Sequence, residues 1–274
     1  MNILFIGDIV GKIGRKALKE NLSFIKNKYD IDFSIANGEN ISNGRGISLN
    51  HYNFLLNEGI DCITLGNHYL DKKEELELFK NYDEIILPLN SKNEILADIA
   101  PFKRSKEFII NDIKIRVTSV LGKAFMKEEV NDPYFSLASL IKDDTSDIHI
   151  VDYHAEASGE KEAMVYAFEG EISALIGTHT HVQTRDARII NNKTFYITDV
   201  GMCGDYNGIL GYEVESVIKR QVLGKNNVLM ELKDDGVRLF NGVILSFDDL
   251  TFKPLSITPL YLIKDKRKEN LWEK

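Results

Sequence analysis

Covalent and thiolate staples are almost absent from this chain. Only 2 of its 274 residues are cysteines, Cys62 and Cys203, and they sit in unrelated contexts. A cysteine-rich zinc site is therefore excluded, a disulfide between the two is open but not expected, and a cytoplasmic setting is the simplest reading. Basic charge is also scarce: 34 Lys and Arg stand against 42 Asp and Glu, a net charge of -8. A surface of that sign does not favour extended nucleic-acid binding or a membrane surface. No apolar run reaches the ~20 residues of a membrane helix, and the first one stops at Gly7-Asp8, too early for a signal peptide. With 5 prolines and neither repeat nor low-complexity linker, one domain over residues 1–274 is expected, with an irregular stretch around 88–126 as a candidate appended oligomerisation region. The charged tail from Lys264 to Lys274 reads as a frayed end or a surface helix.

What the chain does have is a hydrophobic fraction of 43%, enough for an ordinary core. Its apolar runs alternate with helical patterns. Ile3 to Ile6, Phe33 to Ala36, Cys62 to Leu65, Ile148 to Val151 and Ala174 to Ile176 read as buried strands. Leu18, Leu22 and Ile25 share one face of a helix expected from about Arg15 to Lys28. Ser48 can N-cap the next helix, which stops at Gly59. Asp71 with Glu74 makes a capping box for a helix through Phe79, and Ile85 to Leu87 follows as a strand. Such alternation implies βαβ units and parallel pairing. Further on, helices are expected near Ser136 to Ile141 and over Glu213 to Val222. Hairpins are expected at Asn111-Asp112, at Asn191-Asn192, and at Asp234-Asp235-Gly236, the last joining Val228–Leu232 to Val237–Phe240. Ile244 to Phe247 and Leu255 to Ile263 look like further strands. The whole reads as an α/β protein with two packed mixed β-sheets and helices outside.

Five of the strands end in polar clusters: Gly7-Asp8, Asn37-Gly38-Glu39-Asn40, Gly66-Asn67-His68, Asp152-Tyr153-His154 and Gly177-Thr178-His179-Thr180-His181. The carboxyl ends of parallel strands share one edge, and ligands collect there. Singly, each cluster has an ordinary explanation. Asp8 could cap the helix that begins near Gly14. Glu39-Asn40 could be a solvated turn, and Asn67 an Asx turn beside a surface His68, although Gly66 would permit a sharp turn exposing both side chains. His179-x-His181 alone is a weak signal: either one imidazole faces a metal with Thr180 turned away, or the segment bends and each His meets a different ion. Together the clusters are an inventory for two metal ions.

Carboxylates, amides and imidazoles without thiolate suit Fe, Mn or Zn. Paired ions in hydrolases clamp the attacking and leaving oxygens, and Glu39, in a loop with a ligand beside it, is the best bridging candidate. Two divalent ions outweigh the charges of Asp8, Glu39 and a bridging hydroxide. The site would thus stay positive inside an acidic protein, which favours a phosphate ester. Other residues are less telling. His51 reads as a packing or surface residue, His149 as structural, and Cys62 as a small buried apolar residue. Arg45 and Arg185 could hold phosphate, with plain solvation the default, and Asp199–Gly204 is either a substrate loop or a plain turn.

The order of glycine-Asp, glycine-Asn-His, isolated His and glycine-x-His-x-His resembles the calcineurin-like metallophosphoesterase superfamily. The superfamily usually has a His two residues after the first Asp, where this chain has Val10, and Gly-Asp as second motif, where this chain has Gly38-Glu39-Asn40. Both departures resemble a bacterial subfamily, the YmdB-like metallophosphoesterases, similar to 2′,3′-cyclic-nucleotide 2′-phosphodiesterases. The likeness runs from Asn2 to about Phe252 and includes Thr198-Asp199-Val200-Gly201-Met202. It implies a four-layer αββα sandwich, two metal ions with iron favoured over Mn or Zn, a small phosphodiester substrate and a homo-oligomer. By the same likeness Asp8, Glu39, Asn40 and His181 would hold one ion. Glu39, Asn67, His154 and His179 would hold the other, with Glu39 bridging and His68 giving a proton to the leaving oxygen. Tyr69-Leu70-Asp71 departs from the Thr-Trp more usual before that Asp, which puts base-stacking selectivity in question. The implied reaction is in-line attack of a bridging hydroxide on phosphorus, opening a 2′,3′-cyclic nucleotide to a 3′-nucleotide. Competing readings are a nuclease acting on RNA ends, a regulatory metal-bound nucleotide-binding protein, and a closed structural metal site.

Overall fold

The five polar strand ends come from two different sheets laid face to face. The computed structural model describes residues 1–72, 75–93 and 103–264. The first sheet has eight strands: β1 (Asn2–Ile6), β2 (Asp8–Ile9), β3 (Phe33–Asn37), β4 (Cys62–Thr64), β5 (Ile85–Ile86), β12 (Met202–Asp205), β13 (Arg238–Phe247) and β14 (Pro254–Lys264). The second has six: β6 (Ser105–Ile110), β7 (Ile113–Leu121), β8 (Ile148–His154), β9 (Ala174–Thr178), β10 (Arg188–Ile190) and β11 (Thr194–Ile197). In the first sheet β1, β3, β4 and β5 are parallel neighbours. In the second, β7, β8, β9 and β11 are.

Strands buried on both faces need apolar residues at every position, which is why the runs are continuous rather than alternating. Ile3, Phe5, Phe33, Ile35 and Val243 of the first sheet meet Val117, Ile150, Ile176 and Phe195 of the second between the sheets. On the outer face of the first sheet lie α1 (Gly11–Lys28), α2 (Leu49–Glu58) and α3 (Glu75–Asn81), packed through Leu18, Leu22, Leu55 and Phe79. On the outer face of the second lie α4 (Pro133–Ile141) and α5 (Ser158–Ala167), packed through Leu137, Met164 and Val165. The layers are αββα, as the family likeness implies. Each fully buried Leu, Ile or Phe contributes ~1.5–3 kcal/mol to holding them together.

Several local expectations hold. The Ser48 hydroxyl accepts from the His51 amide, and α2 ends at Gly59 with φ 97°. Asn111 and Asp112 turn β6 into β7 with φ 52° and 65°, and Asn191 and Asn192 turn β10 into β11 with φ 46° and 59°. Others fail. The hairpin expected at Asp234-Asp235-Gly236 does not form: Leu232 only bridges Tyr212, and β13 runs unbroken from Arg238 to Phe247. The acidic turn binds Lys12 and Lys16 of α1 instead. The helix expected over Glu213 to Val222 is one α turn, α6 (Val214–Val217), followed by a π turn over Ile218–Val222. The capping box of Asp71 and Glu74 lies partly outside the described residues, and Asp71 bonds to His68. Within 88–126, residues 105–121 are strands of the second sheet, while 94–102 lie outside the described residues, as does the tail from 265. Cys62 and Cys203 are both buried and free. Among the described residues no helix is long and apolar enough to cross a membrane.

Candidate metal centre

The carboxyl ends of β1, β3 and β4 meet those of β8 and β9 over one point. His154 Nε2, at the end of β8, lies 2.9 Å from Asn67 Oδ1, 3.0 Å from His179 Nδ1 and 3.1 Å from Glu39 Oε1. One ring nitrogen carries at most one proton, so it cannot serve all three as a hydrogen-bond partner. A cation answers the geometry: donors bound at ~2.0–2.1 Å and at right angles to one another lie about 3 Å apart. Glu39, His154 and His179 form a group whose ligand atoms all lie within 4.8 Å of one another.

A second set adjoins the first through Asn40. Its amide nitrogen is 3.0 Å from Glu39 Oε1, 3.2 Å from His181 Nε2 and 3.4 Å from Asp8 Oδ1. His181 Nε2 in turn is 3.8 Å from Asp8 Oδ1. Turned about its axis, the Asn40 amide presents its oxygen at the same place, and the two orientations differ only in the assignment of O and N. These residues fit a cation as well, more loosely. Glu39 touches both sets, its second oxygen accepting from the His68 amide at 3.1 Å. All seven expected ligands, Asp8, Glu39, Asn40, Asn67, His154, His179 and His181, are brought together.

The local backbone explains how. β9 ends at Thr178, and the chain then takes φ 102° at His179 and φ 66° at His181. The segment bends, so the two imidazoles face different sets, the second of the two arrangements open at the sequence level. Gly66 serves close approach, not a positive-φ turn: a Cβ there would lie 2.4 Å from Glu39 Oε2 and from His154 Nε2. Asp8 caps no helix. The N-cap position of α1 is Val10, without a side-chain cap, and Asp8 lies fully buried against the donors.

Each imidazole is oriented by its other nitrogen, a device typical of metal-bound histidines. His154 Nδ1 lies 2.8 Å from Thr178 Oγ1, which donates to Asp152 Oδ1 at 2.6 Å. Asp152 also accepts from Thr64 and Asn37. His179 Nε2 is 3.2 Å from Glu156, and His181 Nδ1 is 3.1 Å from the Leu210 carbonyl. Behind the bend, the buried Lys161 donates to Thr178 O at 2.8 Å and Asp199 Oδ2 at 2.9 Å, and Asp199 holds the Thr180 and Gly201 amides. Glu156 and Lys161 went unread in the sequence. A lysine on the buried face of α5 also hid that helix, which no apolar pattern announced. Asp199, left open between turn and substrate loop, is a brace for the His-x-His bend.

Electrostatics follow from burial and crowding. Burial pushes Asp8 up to about 6 against the pull of His181. Burial would raise Glu39 too, but His154 and His68 hold its carboxyl below the usual range. His154 is raised to about 9: burial opposes its charge, and Glu39 together with Asp8 and Asp152 outweighs it. His179 is lowered to about 3 by burial and by His154. A cation would replace the proton shared by Glu39 and His154.

The donors open into a cleft of about 280 Å³ lined by Glu39, Asn40, Arg45, His68, Leu210 and Tyr212 among others. Of these lining residues, His68 has its Nδ1 2.8 Å from Asp71 Oδ2. Arg45 lies 3.7 Å from the same carboxylate. Arg185 is elsewhere, lining a cleft with Pro259 and Tyr261. His51 is held by Ser42 and Ser48, a packing role as expected. A larger cleft of about 460 Å³ lies at the amino ends of β8, β9 and β11 and holds none of these donors.

Comparison with known proteins gives a consistent answer. A family model described as YmdB-like protein matches residues 4–260. The 2′,3′-cyclic-nucleotide 2′-phosphodiesterase of Bacillus subtilis is 37% identical over 97% of this chain and 98% of its own length. A crystal structure described as a novel phosphatase from Mycoplasma pneumoniae superposes with a TM-score of 0.90 at 36% identity, covering 98% of this chain and 96% of that one. A hypothetical protein from Thermus thermophilus gives 0.88 at 34% identity, over 97% of this chain and 100% of that one.

Proposed function

The chain belongs to the YmdB-like family, and from that premise we propose that it is a dinuclear-metal phosphodiesterase opening 2′,3′-cyclic nucleotides to 3′-nucleotides. The observation that carries the reading is the convergence of Asn67, His179 and Glu39 on His154 Nε2. The phosphodiesterase class is supported by the similarity to the Bacillus subtilis enzyme. Asp8, Glu39, Asn40 and His181 would hold one ion, and Glu39, Asn67, His154 and His179 the other. When bound, the pair would supply Lewis acidity to the phosphate and an activated water as nucleophile. Iron suits the donor set, and so do Mn and Zn.

The chain's own residues supply the rest. The burial of Glu39, Asp8 and His154 keeps bulk water from competing for the donors, which strengthens every charge interaction inside. His68 uses Nδ1 on Asp71, which leaves Nε2 as the nitrogen to act in the cleft that His68 lines. Protonated there, it gives its proton to the departing 2′ oxygen of the ribose, which is a poor leaving group without one. Arg45 stands at the mouth of the cleft as a positive charge within an acidic protein. A cleft of this size favours a mononucleotide over an extended strand. We include self-association into a homo-oligomer in the proposal.

Purified protein supplied with Mn²⁺ should convert 2′,3′-cyclic AMP to 3′-AMP, and a chelator-stripped sample should not. Protein with two bound ions per chain, reconstituted anaerobically with iron as a control, and still inert towards the cyclic nucleotide would overturn the reading.

A further inference from the structure

The cleft beside the metal donors is closed on one side by a turn of unusual composition. Ile209 and Tyr212 exchange both backbone hydrogen bonds, at 2.9 and 3.0 Å, around Leu210-Gly211. Leu210 has φ 52° and Gly211 φ 89°. Two consecutive positive φ values define a hairpin turn whose first position ordinarily takes Asn, Asp or Gly. Gly211 is needed, since a Cβ there would meet Val10 Cγ1 at 2.9 Å. Leucine at 210 is not explained by the turn. It is strained, because the left-handed region crowds a Cβ, and it is 45% exposed, so burial does not compensate. Strained residues that persist beside a reactive centre point to a role there.

Its surroundings indicate which role. The Leu210 carbonyl orients His181, so the turn is tied to the donors. Leu210, Ile209, Tyr212, Val217 and Met230 line the cleft together with His68 and Glu39. The Tyr212 hydroxyl donates to Gly44 O at 3.2 Å, which fixes the ring. A phosphodiester seated on the donors would have these side chains as the apolar part of the cleft lining, with Gln221 beside them.

We propose that Leu210, with Tyr212 and Met230, forms the platform for the planar base of the nucleotide, and that its strained conformation is retained for that contact. The assignment rests on the phosphodiesterase reading above. An apolar platform grips a base by its face and not by its edge, so all four bases should be accepted, and purines, with more surface, preferred.

The experiment compares two substrates with the same reacting ring: 2′,3′-cyclic AMP and the base-free methyl riboside 2′,3′-cyclic phosphate. Leu210→Asn keeps the turn and removes the apolar side chain. It should unfold at the same temperature as the parent or higher, and its KM for the nucleotide should rise about tenfold, with kcat and the base-free substrate much less affected. Met230→Ala should split the substrates in the same direction. Equal losses on both substrates, no loss on either, or a fall in thermal stability without a split would overturn the platform and leave Leu210 as packing. If the parent hydrolyses neither substrate, the phosphodiesterase reading fails on its own, and calorimetric binding decides the platform. Weaker 3′-AMP binding with inorganic phosphate unchanged supports it, and equal 3′-AMP affinity in parent and variant refutes it.

Discussion

His149 and His154 lie on one strand, five residues apart and both buried, yet they do opposite things. Each nitrogen of His149 faces a single oxygen: Nδ1 lies 2.7 Å from Asp144 Oδ2 and Nε2 2.8 Å from Thr118 Oγ1. Burial lowers its pKa, so it stays neutral, and among the described residues the group with metal-ligand spacing is Glu39, His154 and His179, none of which lines the cleft beside His149. His154 has only Nδ1 occupied, and its Nε2 faces three ligand atoms. The acid–His–Thr chain at His149 looks like catalytic geometry, but Thr118 is fully buried and no substrate reaches it. A buried histidine becomes a site when its free nitrogen has more partners than protons, not because a cleft is large.

The sharpest break of that contrast is His154→Ala. It should remove one ion per chain by elemental analysis and cut phosphodiesterase activity beyond the ~100-fold that loss of an outer partner typically costs. His68→Ala should leave both ions bound and slow alkyl esters by ~10²–10⁴-fold while p-nitrophenyl esters suffer far less; equal losses would remove His68 as the acid. Thr178→Val takes away the hydroxyl behind His154 Nδ1 and should weaken metal binding ~10–100-fold in a competition titration. His149→Ala should do the reverse of all three. Metal content and turnover per folded molecule should stay, while denaturant unfolding shows a loss of ~1–3 kcal/mol, because Asp144 and Thr118 lose their partner in the interior.

The two histidines should also differ in the sign of their pH dependence. In chelated protein His154 is raised to about 9 from the ordinary 6.5, so the folded state holds a proton that the unfolded chain has released. Its stabilisation is complete below 6.5 and lost as pH rises towards 9. His149 is lowered, so around and below pH 6.5 the unfolded chain binds the extra proton, and stability rises with pH up to that point. Melting temperatures of the metal-free protein across pH 5 to 9 should show both slopes. His154→Ala should abolish the upper one, and His149→Ala should make the lower one shallower, His51 and His179, lowered to about 4 and about 3, supplying the rest; an unchanged upper slope in His154→Ala would contradict the assignment.

Much of this is legible in the sequence. Continuous apolar runs announced doubly buried strands, Ser48 and Gly59 bounded α2, and paired Asn and Asp residues marked two hairpins. The polar clusters at strand ends pointed to the donor set. Other features left no trace. Val228–Leu232 had a strand-like pattern but was drawn into the cleft wall, since Asp234 and Asp235 found Lys12 and Lys16. Helix α5 was concealed by Lys161, whose charge is satisfied only by Thr178 O and Asp199 once both sheets are assembled.

By itself the sequence determined most of the strands, several helices and the polar clusters at strand ends, because periodicity and residue chemistry are local properties of the chain; the αββα layering and the grouping of the seven candidate donors with His68 came as what the family resemblance implies. Only the tertiary structure decided which histidine nitrogens are left free, how the His179–His181 segment bends, and why Leu210 sits strained over the cleft. Those depend on distances of a few ångströms between strand ends far apart in sequence, which no spacing along the chain encodes.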